Sequence, residues 1–310
     1  MFNIGIDVGG MSIKAGVVDN GEIIHRAVIE TDPKGGVDKL VEDITTLVNT
    51  LISENNIERK NIETIGIGLP GVVTRDGSVT CVNLGLNNAP IVEKLNEKIK
   101  GAKVEIGNDA NVAALAEYAY GSMKGYDSGA MITLGTGVGG GIVIGGKLIT
   151  GANGLGAEIG HTMISTNYFD CNCGNNGCFE TFCSATAIIK YAQKLVEENR
   201  QTIIRDMCEG DLNKVTAKMV FDAYRENDEV AVEVINRFKK YLSMGLANIV
   251  SFIDPAVISI GGGVSNASDI LLEGLSEQIK TYLPFKEGNI ADIVIAKFKN
   301  DAGILGASAL

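Results

Sequence analysis

Alternating apolar and polar residues near the start of the chain predict a three-stranded antiparallel meander. Asn20-Gly21 is a strong signal for a two-residue hairpin between the second and third of these strands. Apolar residues then recur at helical spacing from Leu40 to Leu51, after which strands and helices alternate. The predicted elements of this half are strands at 3–7, 12–19, 22–30, 64–69 and 102–107, and helices at 40–51, 90–100 and 110–121.

The second half of the chain repeats this plan, with short strands joined by glycine turns and followed by βα units. Two similar halves predict an α/β protein of two domains that face a cleft. The predicted domains are 1–122 with 300–310, and 123–299 with an insertion at 151–184. The predicted elements are strands at 129–135, 140–146, 147–150, 256–262 and 292–298, and helices at 185–199, 216–251, 268–282 and 302–309.

Composition and charge restrict the class of protein. Hydrophobic residues make up 45% of the chain and no low-complexity tract occurs, so an ordinary globular protein is expected. The net charge of −11, with both signs interspersed, argues against a nucleic-acid-binding surface. No apolar stretch approaches the ~20 residues of a membrane-spanning helix, and the first residues do not resemble a signal peptide. A cytoplasmic location is therefore expected, where thiols stay reduced.

Three glycine-rich turns follow predicted strands, at 7–10, 135–141 and 261–264. Glycine lets the backbone approach a ligand closely, so that successive N–H groups can point at an anion. For each turn taken alone, a tight hairpin is the simpler explanation. The middle turn has the spacing of a dinucleotide-binding fingerprint, but strand-like residues follow where that motif needs a helix. No glycine turn carries the Lys-Ser/Thr pair of a P-loop.

Two aspartates stand at the ends of predicted strands. Asp7 either accepts hydrogen bonds from the N–H groups of its turn or helps to hold a hydrated Mg²⁺ between nucleotide phosphates. Asp109 lies between a strand and a helix, where an N-cap is a common role for aspartate. The same position is where α/β folds bind ligands, and phosphoryl transfer to an alcohol needs a carboxylate to accept the proton. Position alone leaves both roles open for Asp109.

Residues 154–180 contain half of the six cysteines and one of the two histidines. Cys171, Cys173 and Cys178 have the spacing C-x-C-x₄-C, and His161 adds an imidazole. Three thiolates and one imidazole are the closed tetrahedral ligand set of a structural zinc site. Because four protein ligands leave no position for an activated water, the predicted role of the metal is structural.

Glu158 and Glu180 flank this metal-ligand cluster. An isolated glutamate is most often a solvated surface carboxylate. Two carboxylates held on a metal-bound loop beside a cleft are suited to accept hydrogen bonds from the hydroxyls of a sugar.

Six motifs occur in the order, and at about the spacing, of the ROK family of sugar kinases and repressors. They are "DVGGMSIK", "GLPGVV", "NDANVAALAE", "LGTGVGGG", "GLGAEIGH" and "CNCGNNGCFE". The chain resembles this family over nearly its whole length, and the histidine with CxCGxxGC is highly specific to it. The resemblance implies the actin-like ATPase fold of hexokinases (ribonuclease H-like) and ATP-dependent phosphorylation of a hexose at the 6-hydroxyl. Glucose is the expected substrate, with N-acetylmannosamine, N-acetylglucosamine and fructose as alternatives.

The resemblance also implies roles for individual residues. Asp109 would be the catalytic base that takes the proton of the 6-hydroxyl. The residues implied to bind the sugar are Gly68, Asn108, Asp109, Glu158, His161 and Glu180. The implied zinc ligands are His161, Cys171, Cys173 and Cys178. The residues implied to surround ATP and its Mg²⁺ are Asp7, Gly9, Gly10, Ser12, Lys14, Gly135, Thr136, Gly137, Gly261, Gly262 and Gly263.

Two positions depart from the family pattern. Met11 replaces the usual threonine of the first glycine turn, which removes a hydroxyl near the phosphates, although Ser12 is adjacent. Leu86 stands where many glucose-phosphorylating members carry tryptophan, whereas "ETFCSATAI" resembles the sequence of those members.

The family also contains DNA-binding repressors, which carry a helix-turn-helix domain ahead of the DxGG strand. Here that strand begins at residue 2 and the net charge is acidic, so a repressor is not expected. A sugar-sensing protein without activity would require that Met11 disables the use of ATP. The expected partners are therefore a hexose and MgATP, with no nucleic acid and no membrane, in a homodimer or higher homo-oligomer.

Overall fold

The computed structural model describes residues 1–198 and 200–310. The chain forms two compact units. The first unit comprises residues 1–129, 141–157 and 297–310, and the second unit comprises residues 130–140 and 158–296. The domain boundaries predicted from the sequence stay a prediction.

The first unit contains a five-stranded mixed sheet, a small three-stranded sheet and four helices. The strands are β1 (Phe2–Val8), β2 (Ser12–Asp19), β3 (Glu22–Glu30), β4 (Ile62–Leu69), β5 (Val72–Val73), β6 (Ser78–Cys81), β7 (Leu86–Pro90) and β8 (Lys103–Asn108). The helices are α1 (Gly36–Glu54), α2 (Ile91–Lys98), α3 (Asp109–Tyr120) and, at the end of the chain, α11 (Ala302–Ala307). The large sheet has the order β3-β2-β1-β4-β8, and the small sheet has the order β5-β6-β7.

The meander predicted from the alternation is present, because β1 pairs with β2 and β2 with β3 in antiparallel register. The next two strands add in parallel, β4 beside β1 and β8 beside β4. Helix α11 packs against this sheet where the strands carry no side chain. A Cβ on Gly5 would lie 1.8 Å from the Ile304 carbonyl oxygen, and one on Gly66 would lie 1.7 Å from that of Ala307. Both glycines are therefore required by close packing of helix on sheet.

A second five-stranded sheet has the order β11-β10-β9-β12-β13. Its strands are β9 (Ser128–Leu134), β10 (Val138–Ile144), β11 (Lys147–Leu148), β12 (Val257–Gly261) and β13 (Asp292–Ile295). The helices of the second unit are α4 (Glu180–Cys183), α5 (Ala185–Glu197), α6 (Ile204–Met207), α7 (Ala217–Arg225), α8 (Glu229–Ile253), α9 (Ser268–Leu272) and α10 (Leu275–Thr281). Across the described part of the chain, no helix has the length and apolarity needed to cross a membrane.

Two helices predicted as continuous are interrupted in the structure. The helical pattern of 216–251 breaks after Arg225, where Asn227 adopts a left-handed φ of 58° and Asp228 caps α8 by accepting from the Ala231 N–H. The pattern of 268–282 breaks at Gly274, whose φ is 65°. Buried apolar residues recur on both sides of each break, so the periodicity alone did not reveal the breaks.

Candidate active site and metal centre

The carboxyl ends of three parallel strands meet at one edge of the first unit's large sheet. The register places Gly68 of β4 opposite Asp7 of β1. On its other side, Gly68 lies opposite Gly107, and the next residue of β4 lies opposite Asn108. Ligands of α/β sheets bind at this kind of edge. The structure therefore brings three of the predicted site residues, Asp7, Gly68 and Asn108, to adjacent strand ends.

Asn108 caps helix α3. Its side-chain oxygen accepts from the N–H groups of Ala110 and Asn111 at 3.0 and 3.2 Å, and its Nδ2 donates to the Gly71 carbonyl at 3.0 Å. The N-cap role considered for Asp109 is therefore wrong, because Asn108 fills it. Asp109 is the first residue of the helix, and its carboxylate accepts from the adjacent Ala110 N–H, at 2.8 Å. The Asp109 side chain remains exposed and available to a ligand.

The pKa values of the Asp7 and Asp109 carboxyls are both raised. Although part of Asp109 reaches solvent, the surrounding protein removes enough hydration to raise the pKa of its carboxyl, and the N–H groups of the helix start oppose this rise. Burial raises the pKa of Asp7 as well; the Lys14 ammonium lowers it, and the negative charge of Asp109 raises it further. Two neighbouring carboxylates with reduced hydration form an electronegative site that favours a divalent cation.

The first glycine turn, at residues 7–10, is held by hydrogen bonds at Gly9 and has open space beside Gly10. The Gly9 N–H donates to the Ser12 carbonyl at 2.9 Å, and the Thr31 hydroxyl donates to the Gly9 carbonyl at 2.7 Å. A Cβ added at Gly10 would meet no atom within 4 Å, and Met11 is 88% exposed. The turn therefore has free space beside it, as the approach of a phosphate group requires.

Sequence reasoning missed Gly303 as part of this site. A Cβ at Gly303 would lie 2.5 Å from Cγ of Asp7, so the glycine allows helix α11 to pack directly against that carboxylate. The residues are almost 300 positions apart in the chain, and a lone glycine in a short helix carries no local signal of the contact.

Two more glycine turns lie side by side in the second unit. Gly262 has a φ of 82°, and a Cβ there would lie 2.5 Å from the Leu134 carbonyl, immediately before the turn at 135–137. That turn is held by the start of helix α5, since the Ala185 N–H donates to the Gly135 carbonyl at 2.8 Å. The Thr186 hydroxyl also donates to the Thr136 carbonyl, at 2.7 Å. The structure therefore brings the predicted phosphate turns 135–137 and 261–263 together.

His161, Cys171, Cys173 and Cys178 form one cluster whose possible ligand atoms all lie within 4.8 Å of one another. Cys173 Sγ lies 3.6 Å from Cys178 Sγ, and Cys171 Sγ lies 3.7 Å from His161 Nδ1. Ligand atoms of a tetrahedral zinc site with Zn–S bonds of ~2.3 Å lie about 3.8 Å apart. The donor set and its spacing therefore fit a zinc ion.

The thiols of this cluster differ in acidity. An N–H of Asn175 directed at the Cys173 sulfur lowers the pKa of that thiol, whereas burial raises the pKa of Cys171 and Cys178. Zinc binds thiolates, so loading this cluster would release protons from the buried thiols.

The two flanking glutamates lie in different surroundings. Glu180 Oε2 accepts from the Val138 N–H at 2.9 Å, and the Cys171 thiol lies 3.5 Å from Glu180 Oε1. Glu180 therefore connects the metal-ligand cluster to the glycine turn that precedes β10. Glu158 is exposed, and its Oε2 lies 4.0 Å from Nε2 of His161, the ring nitrogen that faces away from Cys171.

If Glu180 binds a sugar hydroxyl, as the family resemblance implies, Gly137→Ala is expected to raise the KM for the sugar and to leave the fold intact. The new Cβ would lie 2.1 Å from Oε2 of Glu180, and the end of that flexible side chain can move. The displaced carboxylate would lose its bond from the Val138 N–H. Steady-state kinetics and thermal unfolding measure the two effects. An unchanged KM would show that the position of Glu180 does not matter for sugar binding.

The comparisons with known proteins show the family of this chain. The ROK family model matches residues 3–310. A curated relative named Glucokinase, from Halalkalibacterium halodurans, is 37% identical over 99% of this chain and 94% of its own length. An N-acetylmannosamine kinase from Escherichia fergusonii is 32% identical over 100% of this chain and 98% of its own length.

Among solved structures, a ROK family glucokinase from Streptomyces griseus in complex with glucose and AMPPNP superposes with a TM-score of 0.79. It is 32% identical, and the match covers 99% of this chain and 98% of that one. The actin-like fold predicted from the motifs is thereby confirmed. With its motifs, fold and family match in agreement, this chain belongs to the ROK family.

Proposed function

We propose that the chain transfers the γ-phosphoryl group of ATP to the 6-hydroxyl of a hexose, with glucose as the main substrate. The observation that carries this proposal is the state of the Asp109 carboxylate. It does not cap α3, because Asn108 does. Its pKa is raised, and its negative charge acts on the neighbouring Asp7. The glucokinase relative and the solved glucokinase with glucose and AMPPNP support the choice of substrate and donor.

In this mechanism Asp109 orients the 6-hydroxyl of the sugar and accepts its proton. As the proton leaves, the sugar oxygen forms a bond to the γ-phosphorus, and the bond between that phosphorus and the bridging oxygen of ADP breaks in line. A general base is most effective when its pKa lies near the operating pH. The reduced hydration of Asp109 raises its pKa toward that range. The remaining hydroxyls would be bound by the residues that the family resemblance implies, which are Gly68, Asn108, Glu158, His161 and Glu180.

Mg·ATP would be bound by the glycine turns. Asp7 would contact waters of the Mg²⁺ ion, since magnesium keeps most of its hydration and needs few protein carboxylates. Lys14, opposite Asp7 in the β1–β2 register, would compensate phosphate charge. Backbone N–H groups beside the open side of the first turn, and in the turns at 135–137 and 261–263, would bind the phosphate oxygens.

The metal-ligand cluster would hold a structural zinc ion through His161, Cys171, Cys173 and Cys178. The ion supplies a rigid crosslink in a segment with little regular secondary structure. Fixing Nδ1 of His161 leaves its Nε2 free to bind a sugar hydroxyl. A cytoplasmic location and a homo-oligomer stay predictions.

The pH dependence of kcat/KM for glucose is expected to show an acid limb with a midpoint above 3.8, the ordinary pKa of an aspartate. As the pH falls through the raised pKa, Asp109 takes up a proton and can no longer accept one from the sugar. Initial rates at glucose concentrations well below KM, with folding checked by circular dichroism at each pH, measure the limb. A midpoint at or below 3.8 would contradict the reduced hydration assigned to this base.

A coupled assay with MgATP and a panel of glucose, N-acetylmannosamine, N-acetylglucosamine and fructose tests the function directly. The highest kcat/KM is expected for glucose. N-acetylmannosamine is the second candidate, favoured by the similar N-acetylmannosamine kinase. Leu86 occupies the position at which many glucose-phosphorylating members of the family carry tryptophan. Its side chain is 4% exposed and packs in the core of the first unit. Absence of phosphoryl transfer to every sugar of the panel would overturn the proposal.

A further inference from the structure

Glu117 is a buried carboxylate to which the proposed mechanism assigns no role. It belongs to the motif "NDANVAALAE" and lies near the end of helix α3, with 0% of its surface exposed. A carboxylate is costly to bury unless hydrogen bonds compensate the loss of water. The partners of Glu117 therefore indicate what the residue does.

Three hydrogen-bond donors face the two oxygens of this carboxylate. Oε2 accepts from the Ser122 N–H at 2.7 Å and from the Ser122 hydroxyl at 2.8 Å, and Oε1 accepts from the Phe298 N–H at 2.6 Å. All three partners donate, so both oxygens must be acceptors. A glutamine would turn its NH₂ group toward an N–H donor, whereas the two oxygens of a carboxylate can accept all three bonds.

The main chain of Glu117 strengthens the same connection. Its carbonyl accepts from the N–H groups of Gly121 and Met123, each at 3.0 Å. A Cβ at Gly121 would lie 2.2 Å from Oε2, so the glycine lets the segment at 121–123 close tightly over the carboxylate.

The two segments bonded to Glu117 lie near the points at which the chain leaves and re-enters the first unit. Ser122 lies shortly before Gly129, after which the chain first leaves the first unit. Phe298 follows Lys297, at which the chain returns to the first unit for the last time. Glu117 therefore links the segment at Ser122, shortly before the chain first leaves the first unit, to the segment at Phe298, just after its last return. It links both segments to helix α3. The same helix begins with Asp109.

We infer that Glu117 is a positioning residue for phosphoryl transfer. By fixing the departing and returning segments to α3, it keeps the orientation of that helix, and hence of Asp109, constant. The inference rests on the proposed kinase function with Asp109 as base. A misplacement of about 1 Å at a reacting group is enough to cost about a hundredfold in rate.

Glu117→Gln is expected to lower kcat by about ten- to a hundredfold while the KM values for glucose and ATP change little. The ratio of ATP hydrolysis without sugar to sugar phosphorylation is expected to rise, because a misplaced base serves the sugar poorly. Amide hydrogen exchange should accelerate at Ser122 or at Phe298, since the single oxygen of the glutamine can accept from only one of these two N–H groups.

Ser243→Ala is the control for the effect of altering any buried polar group, because Ser243 lies in the second unit, away from Glu117 in the chain. The Ser243 hydroxyl is also fully buried, and it lies 2.9 Å from the Lys239 carbonyl and 3.0 Å from Oε1 of Gln278. Both variants are compared at a temperature at which unfolding curves show each to be folded. Ser243→Ala should keep the kcat and the hydrolysis ratio of the parent protein.

Ser122→Ala covers the case in which Glu117→Gln does not fold. It removes one donor and leaves the other two bonds, so a smaller fall in kcat in the same direction is expected. The inference is overturned if the folded Glu117 variant, or Ser122→Ala in its place, keeps the parent kcat, or if Ser243→Ala shows the same loss. If the parent protein itself phosphorylates no sugar, the kinase proposal fails, whereas accelerated exchange at Ser122 or Phe298 in Glu117→Gln would still show that Glu117 holds these segments.

Discussion

Asp109→Asn will bind glucose about as tightly as the parent protein and will phosphorylate it at least about a hundredfold more slowly, within the range of general-base catalysis. The asparagine oxygen can keep the hydrogen bond from the Ala110 N–H, and Asn108 still caps the helix, so the start of α3 should not move. What the amide loses is the capacity to take the proton of the 6-hydroxyl. The effect should therefore appear in kcat, with glucose binding measured separately by calorimetry.

Thermal unfolding checks that Asp109→Asn is folded. The pKa of Asp109 is raised in the folded protein, so its contribution to stability is greatest when the carboxyl is protonated and is lost as the pH rises through that pKa. At neutral pH the ionised carboxylate carries the cost of its reduced hydration in the folded protein, and a neutral amide avoids that cost and should not lower the unfolding midpoint. A marked fall in that midpoint would point to a structural role.

Asp38→Asn is the matched control, because Asp38 is also an acidic residue in the first turn of a helix, and it is fully exposed to solvent apart from its ion pair with Lys94. This variant should keep the parent kcat. If Asp109→Asn also kept it, the assigned base would be refuted.

Cys173→Ser is expected to abolish stoichiometric metal binding and to lower both stability and sugar affinity. The parent protein should contain about one zinc ion per chain, as a site with three thiolates and one imidazole requires. Loss of a structural metal falls among the largest effects of single substitutions, roughly 4 kcal/mol or more in the free energy of unfolding. Sugar affinity should fall with it, because the segment that carries His161, Glu158 and Glu180 would lose its crosslink.

Metal analysis, thermal unfolding and glucose titration measure the three effects. Cys208→Ser is the control, since Cys208 is a buried thiol outside the cluster, with its Sγ 3.4 Å from the Arg205 carbonyl. It should keep the metal and the sugar affinity. A parent protein without metal would remove the proposed crosslink, and a metal-free Cys173→Ser with full activity would separate the cluster from function.

Local patterns in the sequence were sufficient for much of the fold and for the metal-ligand cluster. The alternation of the first three strands and the helical spacing of Leu40, Val41, Ile44, Leu47, Val48 and Leu51 were correct, and all six of these side chains are buried. The four predicted ligands lie between His161 and Cys178, so a short loop can bring them together without help from the rest of the protein. The family and the fold were identified from motifs that are likewise contiguous in the chain.

The tertiary structure decided the contacts between residues far apart in the chain. The packing of Gly303 against Asp7 and the bond from the Phe298 N–H to Glu117 join positions that share no local pattern. The small sheet of β5, β6 and β7 was not predicted either, because strands of two to five residues are too short to show alternation.

The capping of α3 shows the limit most clearly. Asn108 and Asp109 are adjacent, and either side chain can cap a helix. The bond from Asn108 Nδ2 to the Gly71 carbonyl holds Asn108 in the capping position and leaves the Asp109 carboxylate exposed. Sequence by itself determined which residue types stand at this strand end, and only the packing of the neighbouring strand's loop determined which of them is free for chemistry. The physical reason is that a hydrogen bond across 37 residues depends on the folded backbone and not on local preference.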